Sequence, residues 1–147
     1  MKFKKLTAAV LLAAVVFTSC NNSSEEKKAE ADTKPQLKEE NISYKIDSLN
    51  MDGYVVYDSA VKGKRPAVLV VHEWWGMNEY VKSRARELAG LGYIAMAVDM
   101  YGNGQRADNP ELAGKLATPF YKDPAMAKAH FDAALNKLKT YAEVDTA

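Results

Sequence analysis

Two clusters of polar and aromatic side chains follow the apolar runs at residues 67–71 and 93–98 of the sequence. The first is His72-Glu73-Trp74-Trp75, and the second is the loop from Asp99 to Arg106, which contains Tyr101. We expect the carboxylate of the first cluster to be partly desolvated, which raises a carboxyl pKa toward the range useful for proton transfer. A backbone N–H at a strand-to-helix turn can stabilise an oxyanion. An arginine such as Arg106 can bind a carboxylate through two hydrogen bonds.

Each of these residues also has an ordinary structural interpretation. Glu73 can be held by a neighbouring backbone amide or an arginine, although we interpret it as functional. Trp74 and Trp75 can line a pocket or fill the core, and Arg106 can be a solvated cation of an exposed loop. The sequence leaves both interpretations open for the last three.

The two histidines, His72 and His130, are not expected to bind a metal, and no metal or organic cofactor is expected. We predict that His72 is a buried, hydrogen-bonded core residue and that His130 lies at the surface. The pair His72-Glu73 lacks the second histidine of a zinc-protease helix, because Gly76 stands at that position. The glycines in residues 102–107 resemble a dinucleotide-binding loop, but no helix begins directly after them.

The strands are predicted from the periodicity of apolar residues. Residues 42–49 alternate apolar and polar, and with a turn at 51–53 and a strand at 54–57 they predict a hairpin. Residues 67–71 and 93–98 are apolar throughout, which is typical of parallel strands covered by helices on both faces.

Three helices are predicted from capping residues and apolar spacing. One begins after Asn78 and ends before Gly92, a short one runs from Asn109 to about Leu116, and a longer one follows Asp123. The order of hairpin, strand, helix, strand and helix predicts an α/β fold with a parallel sheet. The apolar stripe of the last helix comprises Ala127, Phe131, Ala134, Leu138 and Tyr141.

The N-terminal region predicts export. Residues 1–19 combine a basic start with an apolar run that is too short to cross a membrane, which is typical of a signal peptide. Phe17-Thr18-Ser19-Cys20 resembles a bacterial lipoprotein box, which implies lipidation of Cys20 and attachment to the outer membrane, facing the periplasm or the cell surface. An ordinary signal peptide with an incidental cysteine is the alternative. Residues 20–41 predict a disordered tether, and residues 42–147 the folded domain.

Charge and cysteine content exclude other classes of protein. The chain has 20 basic and 19 acidic residues, so no nucleic-acid partner is expected. Its single cysteine cannot form an intrachain disulfide.

Residues 70–78, 84–93 and 98–102 resemble the dienelactone hydrolase family, a branch of the α/β-hydrolase fold. The resemblance implies that Glu73 takes part in activating a cysteine nucleophile and that the Trp74 N–H is one oxyanion donor. It further implies hydrolysis of a small lactone or ester through an acyl-enzyme. Trp75, Tyr101 and Arg106 are the candidate substrate-binding residues.

The rest of the family's catalytic machinery has no counterpart in the sequence. The family pattern needs a nucleophile within Gly-x-Cys-x-Gly or Gly-x-Ser-x-Gly after the next strand, and then an acid and a histidine. No serine or cysteine follows Ser83. We therefore expect the N-terminal part of a hydrolase domain, inactive alone, with residues 67–71 as the edge strand beside residues 93–98. The alternatives are a non-catalytic, lipid-anchored binding protein and a decayed gene fragment.

Overall fold

Four strands form one sheet in the computed structural model, which describes residues 34–146. The strands follow the order β1-β2-β4-β3; β1 pairs with β2 and β2 with β4 antiparallel, whereas β3 and β4 are parallel. This confirms the predicted α/β fold and strand order. The strands are β1 (Leu37–Ile46), β2 (Leu49–Asp58), β3 (Ala67–Val71) and β4 (Ile94–Val98).

Three helices begin at capped positions: α1 (Glu79–Gly90), α2 (Pro110–Lys122) and α3 (Pro124–Leu138). The side chains of Asn78, Asn109 and Asp123 accept hydrogen bonds from the first helical N–H groups, as the sequence predicts. Gly92 follows α1 with a φ of 95°, which confirms its predicted place after the C-cap.

The helices α1 and α3 contribute to hydrophobic clusters on the two faces of the sheet. Alternate β4 residues belong to the two clusters, so the central strand is buried throughout. The α1 cluster contains Val81, Ala85, Ala89, Ala95 and Ala97, and the α3 cluster contains Ile94, Met96, Val98, Ala134 and Leu138.

The hairpin differs from its prediction in its turn and its length. The chain turns at Asp47-Ser48, where Asp47 has a left-handed φ of 51°, and not at residues 51–53. Gly53 lies inside β2 because it faces Ile42 closely: a Cβ on Gly53 would lie 2.9 Å from the Ile42 Cγ1 atom. The glycine therefore serves cross-strand packing rather than a turn.

The first strand begins at Leu37, within the predicted tether. Two of its charged residues pair with each other: Glu40 bonds to Lys38 at 2.7 Å, and Glu40 also accepts the Tyr141 hydroxyl at 3.0 Å. The hydrogen bond from Lys38 is the main cause that lowers the Glu40 pKa. The predicted signal peptide, Cys20 and most of the predicted tether lie outside the described residues.

Two helices differ from their predictions. The helix α2 continues past Leu116 to Lys122 although it contains Pro119. Proline has no N–H to donate to the carbonyl four residues earlier, and the exposed position of Pro119 leaves that carbonyl open to water. The buried face of α3 is His130, Ala134 and Leu138, and Phe131 is 40% exposed. The prediction that His130 lies at the surface is therefore wrong.

The strand β3 pairs with β4 on one side and forms the edge of the sheet within residues 34–146. Ahead of β3, Arg65 pairs in parallel with Val144: the Arg65 N–H donates to the Glu143 carbonyl and the Asp145 N–H to the Arg65 carbonyl, both at 2.8 Å.

None of the helices within residues 34–146 is long and apolar enough to cross a membrane.

Candidate functional site

The two predicted clusters meet because β3 and β4 are parallel and end at the same edge of the sheet. Hydrogen bonds join the residues after β3 to the loop after β4, and two of them are accepted by carbonyls of the turn. The Tyr101 hydroxyl donates to the Trp74 carbonyl at 2.9 Å, and the Ala107 N–H donates to the Trp75 carbonyl at 3.1 Å. The site is therefore a hydrogen-bonded junction of two strand ends.

Gly76 allows this close packing. It has a left-handed φ of 85°, and a Cβ on it would lie 2.6 Å from the Gln105 carbonyl oxygen. A residue with a side chain would meet both backbone strain and a steric clash at this position.

His72 is a buried and fully hydrogen-bonded residue, as predicted. Its Nε2 accepts the Met100 N–H at 3.1 Å, and its Nδ1 lies 2.6 Å from the Glu73 carbonyl oxygen. The Tyr101 ring packs edge-on against the imidazole, with the ring centres 4.5 Å apart. Burial lowers the His72 pKa below its usual value of 6.5, which favours the neutral form.

Glu73 lies at the mouth of the site with its side chain exposed. The expectation that the protein partly desolvates this carboxylate is not met among the described residues. The reason is its position at the open edge of the sheet, where the preceding Val71 is itself 46% exposed. No hydrogen bond or ion pair joins its carboxylate to residues 34–146.

Glu73, Trp74 and Tyr101 line a common cleft of about 260 Å³, which places three of the predicted site residues together. The α2 and α3 helices supply the opposite wall. That wall is apolar, which suits a small uncharged organic substrate. The remaining lining residues are Val71, His72, Met100, Ala117, Phe120, Tyr121 and Ala127.

The N–H groups of Trp74 and Trp75 donate to no residue in the described part of the chain. Both belong to the turn whose carbonyls are held by other donors. Trp74 is 41% exposed, and the centre of its ring lies 5.7 Å from that of the Trp75 ring. The turn therefore offers two unpartnered N–H groups, of which the sequence analysis identified the one of Trp74.

Arg106 and Trp75 do not line this cleft. Arg106 lines a separate polar cleft of about 370 Å³, together with Lys82, Asp52 and Asn103. The structure thus places the predicted carboxylate-binding arginine apart from Glu73, Trp74 and Tyr101.

Asp99 organises the loop and was not identified as a site residue from the sequence. It is fully buried, and its Oδ1 accepts the N–H groups of Tyr101 and Gly102 at 3.0 and 2.9 Å. Its Oδ2 accepts those of Gly104 and Asp52 at 2.9 and 3.3 Å. An aspartate directly after a buried strand and before a glycine-rich loop is the signal that could have identified it.

His130, which the sequence places at the surface, is buried beside the loop that follows β4. It is 4% exposed, its Nδ1 lies 2.9 Å from the Met100 carbonyl oxygen, and its ring packs edge-on against Phe120. A polar ring on a buried helix face is tolerated here because the loop carbonyl satisfies it. No three His, Cys, Asp or Glu side chains in the described residues group in a way that could hold a metal ion.

Comparison with known proteins places these features in one family. The family model described as Dienelactone hydrolase family matches residues 51–147. A protein of Aquifex aeolicus named as a carboxymethylenebutenolidase is 38% identical over 84 residues, which are 55% of this chain and 35% of that protein. Protein usf of Aquifex pyrophilus is 32% identical over 102 residues, which are 67% of this chain and 42% of that protein.

The solved structure named m3DLH is similar in fold, with a TM-score of 0.73 and 35% identity. The match covers 76% of this chain and 46% of that structure. The chain thus spans less than half the length of each of these three proteins.

Proposed function

The chain belongs to the dienelactone hydrolase family, and we propose that its cleft forms part of an active site that hydrolyses a small lactone or carboxylic ester. The observation that carries the proposal is the turn after β3. It presents the Glu73 carboxylate and the unpartnered Trp74 N–H beside an apolar cleft. An oxyanion donor next to an apolar substrate surface is what acyl transfer requires.

The proposed reaction proceeds through an acyl-enzyme. A nucleophile attacks the carbonyl carbon of the substrate, and the carbonyl electron pair moves to the oxygen, where the Trp74 N–H stabilises the negative charge. Collapse of this intermediate breaks the ester C–O bond and releases an alkoxide, which takes up a proton. Water then cleaves the acyl-enzyme to give the carboxylic acid and the free nucleophile.

Glu73 is the proposed activating carboxylate for the nucleophile. No serine or cysteine follows Ser83, so we propose that the nucleophile comes from outside these 147 residues and that they do not hydrolyse esters alone. The exposed position of Glu73 at the open sheet edge supports this, because the carboxylate is accessible to a residue that approaches from that side. Tyr101 lines the cleft as a candidate substrate contact.

The test compares the 147-residue chain with a form extended through any codons that follow Ala147 in its gene. Both are assayed with 4-nitrophenyl acetate and with an enol lactone. We expect turnover from the extended form only. A gene without further coding sequence, or an inert extended form, contradicts the catalytic proposal.

Glu73→Gln tests the assigned carboxylate within the extended form. We expect turnover to fall more than about tenfold, because the amide cannot accept a proton. Glu87→Gln is the matched control, since Glu87 is exposed on α1 away from the cleft. Equal turnover of the two variants would remove Glu73 from the mechanism.

We further propose that the chain is exported and held at the outer membrane by a lipid on Cys20, as its N-terminal sequence suggests. Cells that express the chain and take up radiolabelled palmitate should label it, and Cys20→Ser should abolish the label and release the protein into the soluble fraction. Unchanged labelling of Cys20→Ser is incompatible with this anchor.

A second candidate is a lipid-anchored binding protein without catalysis. The exposed edge of β3 favours it, because an edge strand can pair with an extended segment of a partner. The extended-form assay separates the two candidates, since strand pairing requires no nucleophile.

A further inference from the structure

The Glu73–Trp74 peptide is fixed through its carbonyl oxygen. The Glu73 oxygen lies 2.6 Å from His72 Nδ1 and also accepts the Gly76 N–H at 3.4 Å. A peptide group is planar and trans, so its N–H points opposite to its carbonyl. Because the carbonyl is directed at the buried imidazole, the Trp74 N–H of the same peptide is directed away from it.

The Met100 N–H determines which tautomer His72 adopts. It donates to Nε2 at 3.1 Å, so this nitrogen carries no proton. A neutral imidazole carries one proton, which must then be on Nδ1. His72 is therefore a donor to the Glu73 carbonyl, and each of its ring nitrogens has one partner. The neutral form that burial favours agrees with this assignment.

The surroundings of the ring prevent it from turning away. His72 is 8% exposed, and the Tyr101 ring packs edge-on against it. Met100, whose N–H bonds to Nε2, is also held on its other side: its carbonyl, in the next peptide group, lies 2.9 Å from His130 Nδ1. Hydrogen bonds on both sides of Met100 thus connect α3, the loop after β4 and the peptide after β3.

From this geometry we infer that His72 is a positioning residue: its Nδ1–H fixes the plane of the Glu73–Trp74 peptide and thereby aims the Trp74 N–H. That this N–H stabilises an oxyanion rests on the proposed function. The orientation itself rests on hydrogen bonds within the protein, the short one from His72 and the longer one from Gly76, and not on the proposed function. The inference gives the buried histidine a task beyond filling the core.

Two amide variants separate the two bonds of the ring. The side-chain N–H of asparagine can occupy the place of Nδ1, whereas the side-chain oxygen of glutamine can occupy that of Nε2. His72→Asn therefore keeps a donor to the Glu73 carbonyl and loses the Met100 contact. His72→Gln keeps the Met100 contact and loses that donor. If His72 only filled the core, the two variants should not differ in the mobility of the Trp74 amide.

The experiment uses nitrogen-15-labelled samples of the full chain. Long-range nitrogen–proton spectra of the wild type should show the Nδ1–H tautomer of His72. The order parameter of the Trp74 amide should be about 0.85 in the wild type and in His72→Asn, and it should fall below about 0.6 in His72→Gln. The Met96 amide in β4 serves as the reference for an intact fold.

Two results would overturn the inference. One is the Nε2–H tautomer in the wild type, which needs no variant and decides the matter even if both variants unfold. The other is an equal Trp74 order parameter in the two variants. Neither measurement uses a substrate, so an inert extended form leaves the orientation result intact. In an active extended form, His72→Gln should lower kcat about tenfold or more with little change in KM.

Discussion

Asp99 is a buried carboxylate whose hydrogen-bond partners within residues 34–146 are all backbone N–H groups, and this determines what its amide variant should do. Its two oxygens accept N–H groups from Tyr101, Gly102, Gly104 and Asp52. Asp99→Asn removes the charge and places an NH₂ group against donors. We expect the free energy of unfolding to fall by about 3 kcal/mol, as for buried hydrogen bonds to charged groups.

Urea denaturation of Asp99→Asn and of Asp108→Asn measures this effect. Asp108 is exposed in the same loop region, so its variant should lie within about 0.5 kcal/mol of the wild type. Similar losses for both variants would show that the loop does not depend on the buried carboxylate.

The lowered pKa of His72 predicts how the stability of the folded protein responds to acid. Burial lowers its pKa below 6.5 in the folded protein, while hydrogen bonding to the Glu73 carbonyl and the charge of Asp99 oppose this in part. The unfolded chain therefore binds a proton at higher pH than the folded chain does. The stabilisation is present above the unfolded-state pKa and is lost as pH falls through the lower folded-state value.

Urea denaturation between pH 7 and pH 5 should accordingly show falling stability, with a smaller slope in His72→Asn. The variant removes the imidazole and keeps a donor for the Glu73 carbonyl. An identical slope in both proteins would assign the acid sensitivity to other groups.

At the scale of single residues, the sequence predicted which residues meet in one cleft better than it predicted their surroundings. Glu73, Trp74 and Tyr101 meet in one cleft because parallel strand ends meet, which strand periodicity can predict. The exposure of Glu73 and the separation of Arg106 depend on which neighbouring surfaces cover each loop. Loop packing of that kind leaves no periodic signal.

At the scale of elements, the errors fall where tertiary contacts override local preference. The sequence places a turn at residues 51–53 because glycine favours turns, yet Gly53 is needed where Ile42 crosses closely. It assigns Phe131 to the buried face of α3, yet His130 is buried because the Met100 carbonyl satisfies it. Strand β4 was predictable since its apolar run reflects burial on both faces, and the equally apolar run of β3 was recognisable although its residues are only half-buried or, at Val71, exposed.

The turn after β3 depends on Gly76, and a matched glycine makes this testable. Gly76 and Gly63 have nearly equal left-handed φ values of 85° and 86°. A Cβ on Gly76 would lie 2.6 Å from the Gln105 carbonyl oxygen, whereas one on Gly63 would meet nothing within 4 Å. The two sites share backbone strain and differ in steric space.

Gly63→Ala should therefore cost about 1 kcal/mol of unfolding free energy, from the left-handed backbone alone. Gly76→Ala should cost about 2 kcal/mol more, because the backbone at Gln105, in the loop after β4, must move. Thermal and urea unfolding of both variants measure the difference. Equal costs would mean that the two loops can separate without penalty.

At the scale of the whole molecule, the two sides of the sheet are unequal. One side ends in the paired hairpin of β1 and β2, whose polar outer residues make ion pairs such as Lys38 with Glu40. The other side ends in β3, whose five residues are all apolar. Within residues 34–146 no strand pairs with the outer edge of β3, and the Arg65–Val144 bridge covers only the residues that lead into the strand. An apolar strand with unpaired backbone groups favours association between chains.

We therefore expect residues 20–147 to self-associate through β3, and a charge at this edge to reduce the association. Val71 and Val61 are 46% and 38% exposed, but only Val71 belongs to β3. Val71→Lys should shift the distribution in sedimentation velocity toward the monomer across a concentration series, because a charged edge residue opposes strand pairing. Val61→Lys adds the same charge in the loop before β3 and should leave the distribution unchanged. A wild-type chain that stays monomeric throughout the series would mean that the β3 edge is protected, and an equal response to both lysines would assign the effect to net charge rather than to the strand.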